Sequence, residues 1–171
     1  IFSLIFPEFE NLKRLERLVK IFDYTQISRE LLLAVTLIDE KNNHEYFIHK
    51  YNVSNKIKEN LQMFAKNLIL IKENKDFFNK DLEKNIYLND KNHLINLNIF
   101  NFTINEKLKF QDFSNTLKKI LQSKKQKFPF DGKYLMDHGM KQGSQMGKVL
   151  KNIEEEWIKN NFKISEDQMK K

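Results

Sequence analysis

Lys133, Lys141, Lys148 and Lys151 are interleaved with the four glycines of this 171-residue chain, Gly132, Gly139, Gly143 and Gly147, and the sequence before Gly132 contains no glycine. Glycine inside a helix costs about 1 kcal/mol relative to alanine, so the cluster marks backbone doing something a helix does not. The segment reads as a short helix over 131–138, a turn from Gly139 to Gly143, and a long helix from Ser144 to about Asn161. Gly139 falls where a left-handed C-terminal cap belongs, and Gly143 or Ser144 suits the N-cap of the long helix. A helix N-terminus led by glycine offers free amide donors and the positive end of the helix dipole, which together bind phosphate. Gly147, in the first turn, permits close approach of a ligand or another backbone. With the four lysines beside it, this corner is a candidate for gripping a nucleic-acid backbone without reading bases. Packing is the alternative: Gly139, Gly143 and Gly147 would simply let two helices cross closely.

Other chemistry finds little support in the residue types. His44, His49, His93 and His138 form no His-Glu-x-x-His pattern and cysteine is absent, so we expect neither a metal site nor a disulfide. No Gly-x-x-x-x-Gly-Lys loop occurs. We assign no catalytic residue, reading Asp137-His138 as a helix end because a general base needs a positioned partner. Glu154 to Glu156 read as a solvated face, with Glu155 spaced to pair with Lys151 and Lys159. Trp157 has the chemistry to stack on a base. It shares an apolar stripe with Met146, Val149, Leu150 and Ile153, however, and core packing is the role we expect of it.

The elements that must position this corner are helices. After Pro7, Leu12, Leu15, Leu18, Val19 and Phe22 recur at helical spacing. Ser28 can cap a helix burying Leu31, Leu32, Val35 and Ile38, and Ser54 one burying Ile57, Leu61, Phe64, Ala65 and Leu68. Residues 76–88 carry Phe77, Phe78, Leu82 and Ile86 on a helical face. Leu94 to Ile104 satisfies both the helical and the alternating pattern. We expect a helix, because a lone strand among helices would leave its amides unpaired. Leu108 to Leu121 follows, with Phe113, Leu117, Ile120 and Leu121 inward, and Ser123 to Lys127 is the best linker. The expected fold is all-α: a body of stacked helical hairpins, then a tail resembling a helix-turn-helix.

Charge points to the same end of the chain. The net charge is +7, yet residues 118–171 hold 13 lysines against 7 acidic residues, while residues 1–117 balance 17 basic against 16 acidic. Coding drift toward Lys, Asn, Ile and Phe accounts for a basic total but not for its asymmetry. A localised basic excess is what a polyanionic partner requires. No apolar run approaches the roughly 20 residues needed to cross a bilayer and no signal peptide opens the chain, so we expect no membrane partner and a cytoplasmic location. The opening IFSLIF, without an initiator Met, looks cut from something longer.

The tail residues resemble a family. Phe128, Pro129, Gly132 and Leu135, then Gly143 and Gly147, then Trp157 and Phe162 match the C-terminal pattern of bacterial class II tRNA nucleotidyltransferases, the CCA-adding enzymes and related poly(A) polymerases. Ser144 stands where that family usually has proline, which leaves the turn less rigid. Phe2 to Phe22, with its Pro7-Glu8 pair, looks like the close of the family's neck, and Ser28–Leu37 and Asn52–Leu61 look like its body helices. The resemblance implies residues 1–22 as the end of a neck, 23–122 as a helical body and 123–171 as the basic tail. It also implies that Mg, ATP and CTP belong to a catalytic head and neck whose motifs do not occur between Ile1 and Lys171. This chain would then be inactive alone and carry no cofactor. It would hold tRNA by its phosphates through Lys133, Lys141, Gly143, Ser144, Gly147, Lys148 and Lys151. Two other readings stand beside it: a helical protein-interaction module using Ile1 to Phe6, and a helix-hairpin-helix accessory domain for nucleic acid.

Overall fold

Leu94 to Ile104, the segment with two periodicities, forms all but the first turn of the central helix of the first unit. In the computed structural model, which describes residues 2–22 and 26–163, helix α7 (Lys91–Ile104) packs against α2 (Arg14–Val19), α3 (Arg29–Leu37), α5 (Asn55–Glu73), α6 (Leu82–Leu88) and α8 (Phe110–Gln122). The Asp90 carboxylate caps α7, accepting from Asn92 N at 2.8 Å and His93 N at 3.3 Å. Residues around most of its circumference are buried, Leu94, Leu97, Ile99, Phe100 and Phe102 among them. A helix apolar on nearly every side shows no single stripe, which is why its pattern also fitted a strand.

The described residues contain helices and no strand, and no described helix is long and apolar enough to cross a membrane. The chain divides into two compact units, Ile1–Ser123 and Lys124–Lys171. The first unit also holds α1 (Phe2–Ile5) and α4 (Asn43–Tyr51), and its core closes on Phe64, Phe100, Phe102 and Phe113. Phe64 lies 5.4 Å from Phe100 and Phe102 lies 4.9 Å from Phe113, ring centre to ring centre. The second holds α9 (Gly132–Asp137) and α10 (Ser144–Lys159). Ile1 and residues 164–171, including Lys170 and Lys171 of the basic count, lie outside the described residues.

Several expected faces are corrected. Helix α2 ends at Val19 and the chain turns through Lys20, with Ile21 N donating to Leu18 O; the turn delivers Ile21 to the core and leaves Val19 68% and Phe22 64% exposed. Leu12, in the turn before α2, is exposed too, as are Leu32 and Leu121, off the faces that α3 and α8 turn inward. The helix expected over 76–88 begins only at Leu82. Before it, Asn74 Oδ1 accepts from Asp76 N, Asn74 Nδ2 donates to Asp81, and Asn85 Nδ2 donates to Phe77 O. These carboxamides take backbone groups that a helix would otherwise use. Ser28 caps α3 through Leu31 N, as expected, while Ser54 precedes α5 with no side-chain cap bond.

Two arginines of α2 finish its neighbours. Arg14 Nη1 donates to Val35 O and Ile38 O at the end of α3, and Arg17 donates to Phe102 O at 2.8 Å and Asn105 O at 3.1 Å at the end of α7 and to Leu108 O at 2.7 Å in the turn that follows. A cation on the orphan carbonyls of a helix C-terminus satisfies acceptors and opposes the dipole at once. The Arg17 guanidinium also lies 4.2 Å from the centre of the Phe102 ring.

Candidate nucleic-acid interface

Helix α9 starts at Asp131, whose Oδ1 accepts from Tyr134 N at 2.8 Å, and stops in a Schellman turn. Gly139 N donates to Met136 O at 2.9 Å and Met140 N to Leu135 O at 3.0 Å, with Gly139 at φ +89°. The left-handed cap expected at Gly139 is therefore present, and its φ explains the glycine. Gly143 is the N-cap of α10, in extended backbone, with no side-chain cap bond. Met146 N turns back to Gly143 O, but the amides of Gly143, Ser144 and Gln145 find no acceptor among the described residues.

Beyond their own chain neighbours and helix backbone, no heavy atom of the described residues lies within 4 Å of where a Cβ would stand on Gly139, Gly143 or Gly147. These glycines therefore do not serve a close helix crossing, and Gly147 approaches no other backbone. The close contact is elsewhere: a Cβ on Gly132 would lie 3.0 Å from Met146 Sδ, which places the start of α9, and the backbone of Lys133 with it, beside the first turn of α10. Lys141, Gly143, Ser144, Gly147 and Lys148 share that corner by position in the chain, and Lys151 follows Lys148 three residues on, one helical turn further along the same face. Lys133, Lys141, Lys148 and Lys151 are all exposed, and none meets a carboxylate among the described residues.

The rest of the unit is a scaffold for this corner. Trp157 is 5% exposed, with its ring 5.4 Å from Phe128 and 4.9 Å from Phe162, and Leu135 and Ile158 are buried with it. Trp157 is thus a packing residue. Met146, Val149, Leu150 and Ile153 are half-buried along the same side of α10. Glu155 makes no close ion pair with Lys151 or Lys159; Glu156 takes Lys159 at 2.8 Å, and Glu155 acts on Lys159 only by its longer-range charge. His138 Nδ1 lies 2.8 Å from Tyr134 O and its ring 4.2 Å from the Tyr134 ring, so Asp137 is not its partner. No group of His, Asp and Glu among the described residues could hold a metal.

One feature of unit Ile1–Ser123 escaped the sequence. A cleft of about 1110 Å³ is lined by residues from α2, the 39–41 turn, α5, the 74–79 turns, α7 and α8, with Asn98, Asn101, Asn105 and Asn115 among them. Its residues come from separated segments, so no linear motif announces it. The chain matches no family model, no curated protein and no solved structure.

Proposed function

We propose that this chain is an RNA-holding fragment that grips tRNA by its phosphate backbone at the α9–α10 corner, and that, following its resemblance to the class II tRNA nucleotidyltransferases, it serves a catalytic head that extends the tRNA 3′ end with ATP and CTP. One observation carries the reading: an α10 N-terminus whose amides at Gly143, Ser144 and Gln145 find no acceptor, flanked by exposed lysines with no carboxylate partner, both among the described residues. Amides and ammonium groups together favour phosphate oxygens over any neutral ligand. Neither group reads a base, so affinity should depend on backbone charge and shape rather than sequence.

The test is tRNA binding by the full chain across a salt series. Neutralising a phosphate steepens the fall of log K with log salt by about 0.7 to 0.9, so engagement of the four lysines predicts a slope of about −3. The K141E/K148E variant should bind at least about tenfold more weakly at low salt and show a shallower slope. Affinity no better than that of an unrelated basic helical protein, or unchanged in the variant, overturns the reading. Duplex DNA bound as tightly as tRNA would favour the helix-hairpin-helix accessory domain. A protein-interaction module draws support from Leu4, 85% exposed, and Ile5, also exposed; salt-independent self-association without RNA is its signature.

A further inference from the structure

The cleft in unit Ile1–Ser123 is built from polar residues on a helix that is otherwise core. Asn98 and Asn101 fall at i and i+3 of α7, on one face of the central helix, Asn105 is the residue that ends it, and all three line the cleft. Asparagine is a poor choice for a helix interior, and leucine on that face would have sealed the gap. Asn98 is spent on the fold, its buried Nδ2 donating to Phe113 O at 3.1 Å and tying α7 to α8. The others keep capacity in hand. Asn101 has no partner for either end of its carboxamide among the described residues. Asn105 Oδ1 accepts from Lys107 N and Asn115 Oδ1 from Gln111, leaving both NH2 groups uncommitted.

The remaining lining adds an aromatic ring and charge of both signs, with Glu10, Asp39, Glu40 and Asp112 facing the basic residues. Phe78, half-buried, contributes an aromatic ring; Phe77 beside it is buried at 4.9 Å between centroids. The cations sort themselves by partner. Lys41 is held by Glu10 and Lys72 by Glu40, and Arg14 is committed to the α3 carbonyls, but Lys75 and Lys119 are exposed with no carboxylate partner among the described residues. Carboxamides present a donor beside an acceptor, the pattern that matches the edge of a nucleobase. An aromatic ring stacks on its face, and a free ammonium takes its phosphate. The volume is ample for such a group.

We infer that this cleft binds a single nucleotide, with the base against Asn101 and Asn115, its face toward Phe78, and the phosphate toward Lys75 or Lys119. The nucleotide is either free or an unstacked residue of an RNA strand; the recognising chemistry is the same. The inference does not rest on the phosphate contact at the α9–α10 corner.

The experiment titrates the full chain with AMP, CMP, GMP and UMP, and separately with a five-nucleotide RNA, observed by amide NMR shifts. Saturable shifts on α7, α8 and residues 74–79 are expected. A response to a mononucleotide identifies the free ligand, and a response to the RNA alone identifies a strand residue. Asn101→Leu, near-isosteric, and Asn115→Ala, at an exposed position, should each weaken binding about tenfold, while K141E/K148E leaves it unchanged. Circular dichroism confirms that each variant folds, and the exposed Asn115 variant carries the test if Asn101→Leu does not. No saturable shift with any probe, binding unaltered in a folded Asn variant, or loss confined to K141E/K148E overturns the inference.

Discussion

Arg17 places its guanidinium over the carbonyls left open by the end of α7 and the turn after it, bonding Phe102, Asn105 and Leu108 while covering the Phe102 ring. A planar fork can reach several acceptors from one position, which a lysine ammonium cannot. Arg17→Ala should therefore cost about 2 to 4 kcal/mol, since charge-assisted bonds contribute about 1.5 to 3 kcal/mol each and these are part-buried or exposed. Arg17→Lys should recover less than half. Urea midpoints of the three proteins check both statements. His44 supplies a second residue-scale test. It is buried, its Nδ1 has no partner among the described residues, and Nε2 lies 3.6 Å from Glu45. Burial holds its pKa below the ordinary 6.5, against the opposing pull of Glu45 and Asp39. The unfolded chain therefore takes up the proton first, so the His44 contribution is complete above 6.5 and declines as pH falls from there through the folded pKa. His93, also lowered by burial against the pull of Asp90, adds in the same direction. The urea midpoint should fall on acidification below pH about 6.5, and fall less in His44→Gln.

At the scale of elements, the glycines of the tail separate into two kinds that a sequence shows as one. Gly139 is fixed by its backbone, at φ +89°, and alanine there should destabilise the α9–α10 unit by about 1 to 2 kcal/mol. Gly147 sits inside α10 with open space around it, so Gly147→Ala should stabilise the helix by about 0.5 to 1 kcal/mol. On the proposed function the same methyl group obstructs a phosphate at the first turn, so tRNA affinity should fall while the melting temperature rises. A mutant gaining in both would separate Gly147 from the contact. What the sequence disclosed divides along similar physical lines. Helices with one wet and one dry side, such as α5 with Leu61, Phe64 and Leu68, were legible because water imposes the 3.6 period. Helix α7 was ambiguous because it meets so little water, and α6 was overextended because Asn74 and Asn85 divert backbone groups no hydrophobic pattern records. The α9–α10 corner could be read from spacing because its amides and lysines are local. Asn101 and Asn115 could not be joined in advance, since only the packing of α7 on α8 brings their faces to one cleft.

The whole molecule consists of two units that each bury their own apolar residues. The principal core draws on residues from Leu18 to Ile120, all within Ile1–Ser123, while the tail closes over Leu135, Trp157 and Ile158 with Phe128 and Phe162 against the indole. So small a unit has little surplus stability, because a short chain buries a smaller fraction of its surface. Removing a buried tryptophan costs about 3 to 5 kcal/mol, comparable to all that such a unit is expected to hold. Trp157→Ala should therefore unfold the tail while α7, wrapped on most sides by the first unit, keeps its structure. Hydrogen exchange resolves this without the lost fluorophore: protection should vanish across Ser144–Lys159 and persist across Lys91–Ile104. The variant also separates the two binding proposals, because tRNA affinity should go with the tail and nucleotide shifts in the cleft should remain. Loss of α7 protection together with that of α10 would mean that the units fold as one, and would remove the basis for treating their sites independently.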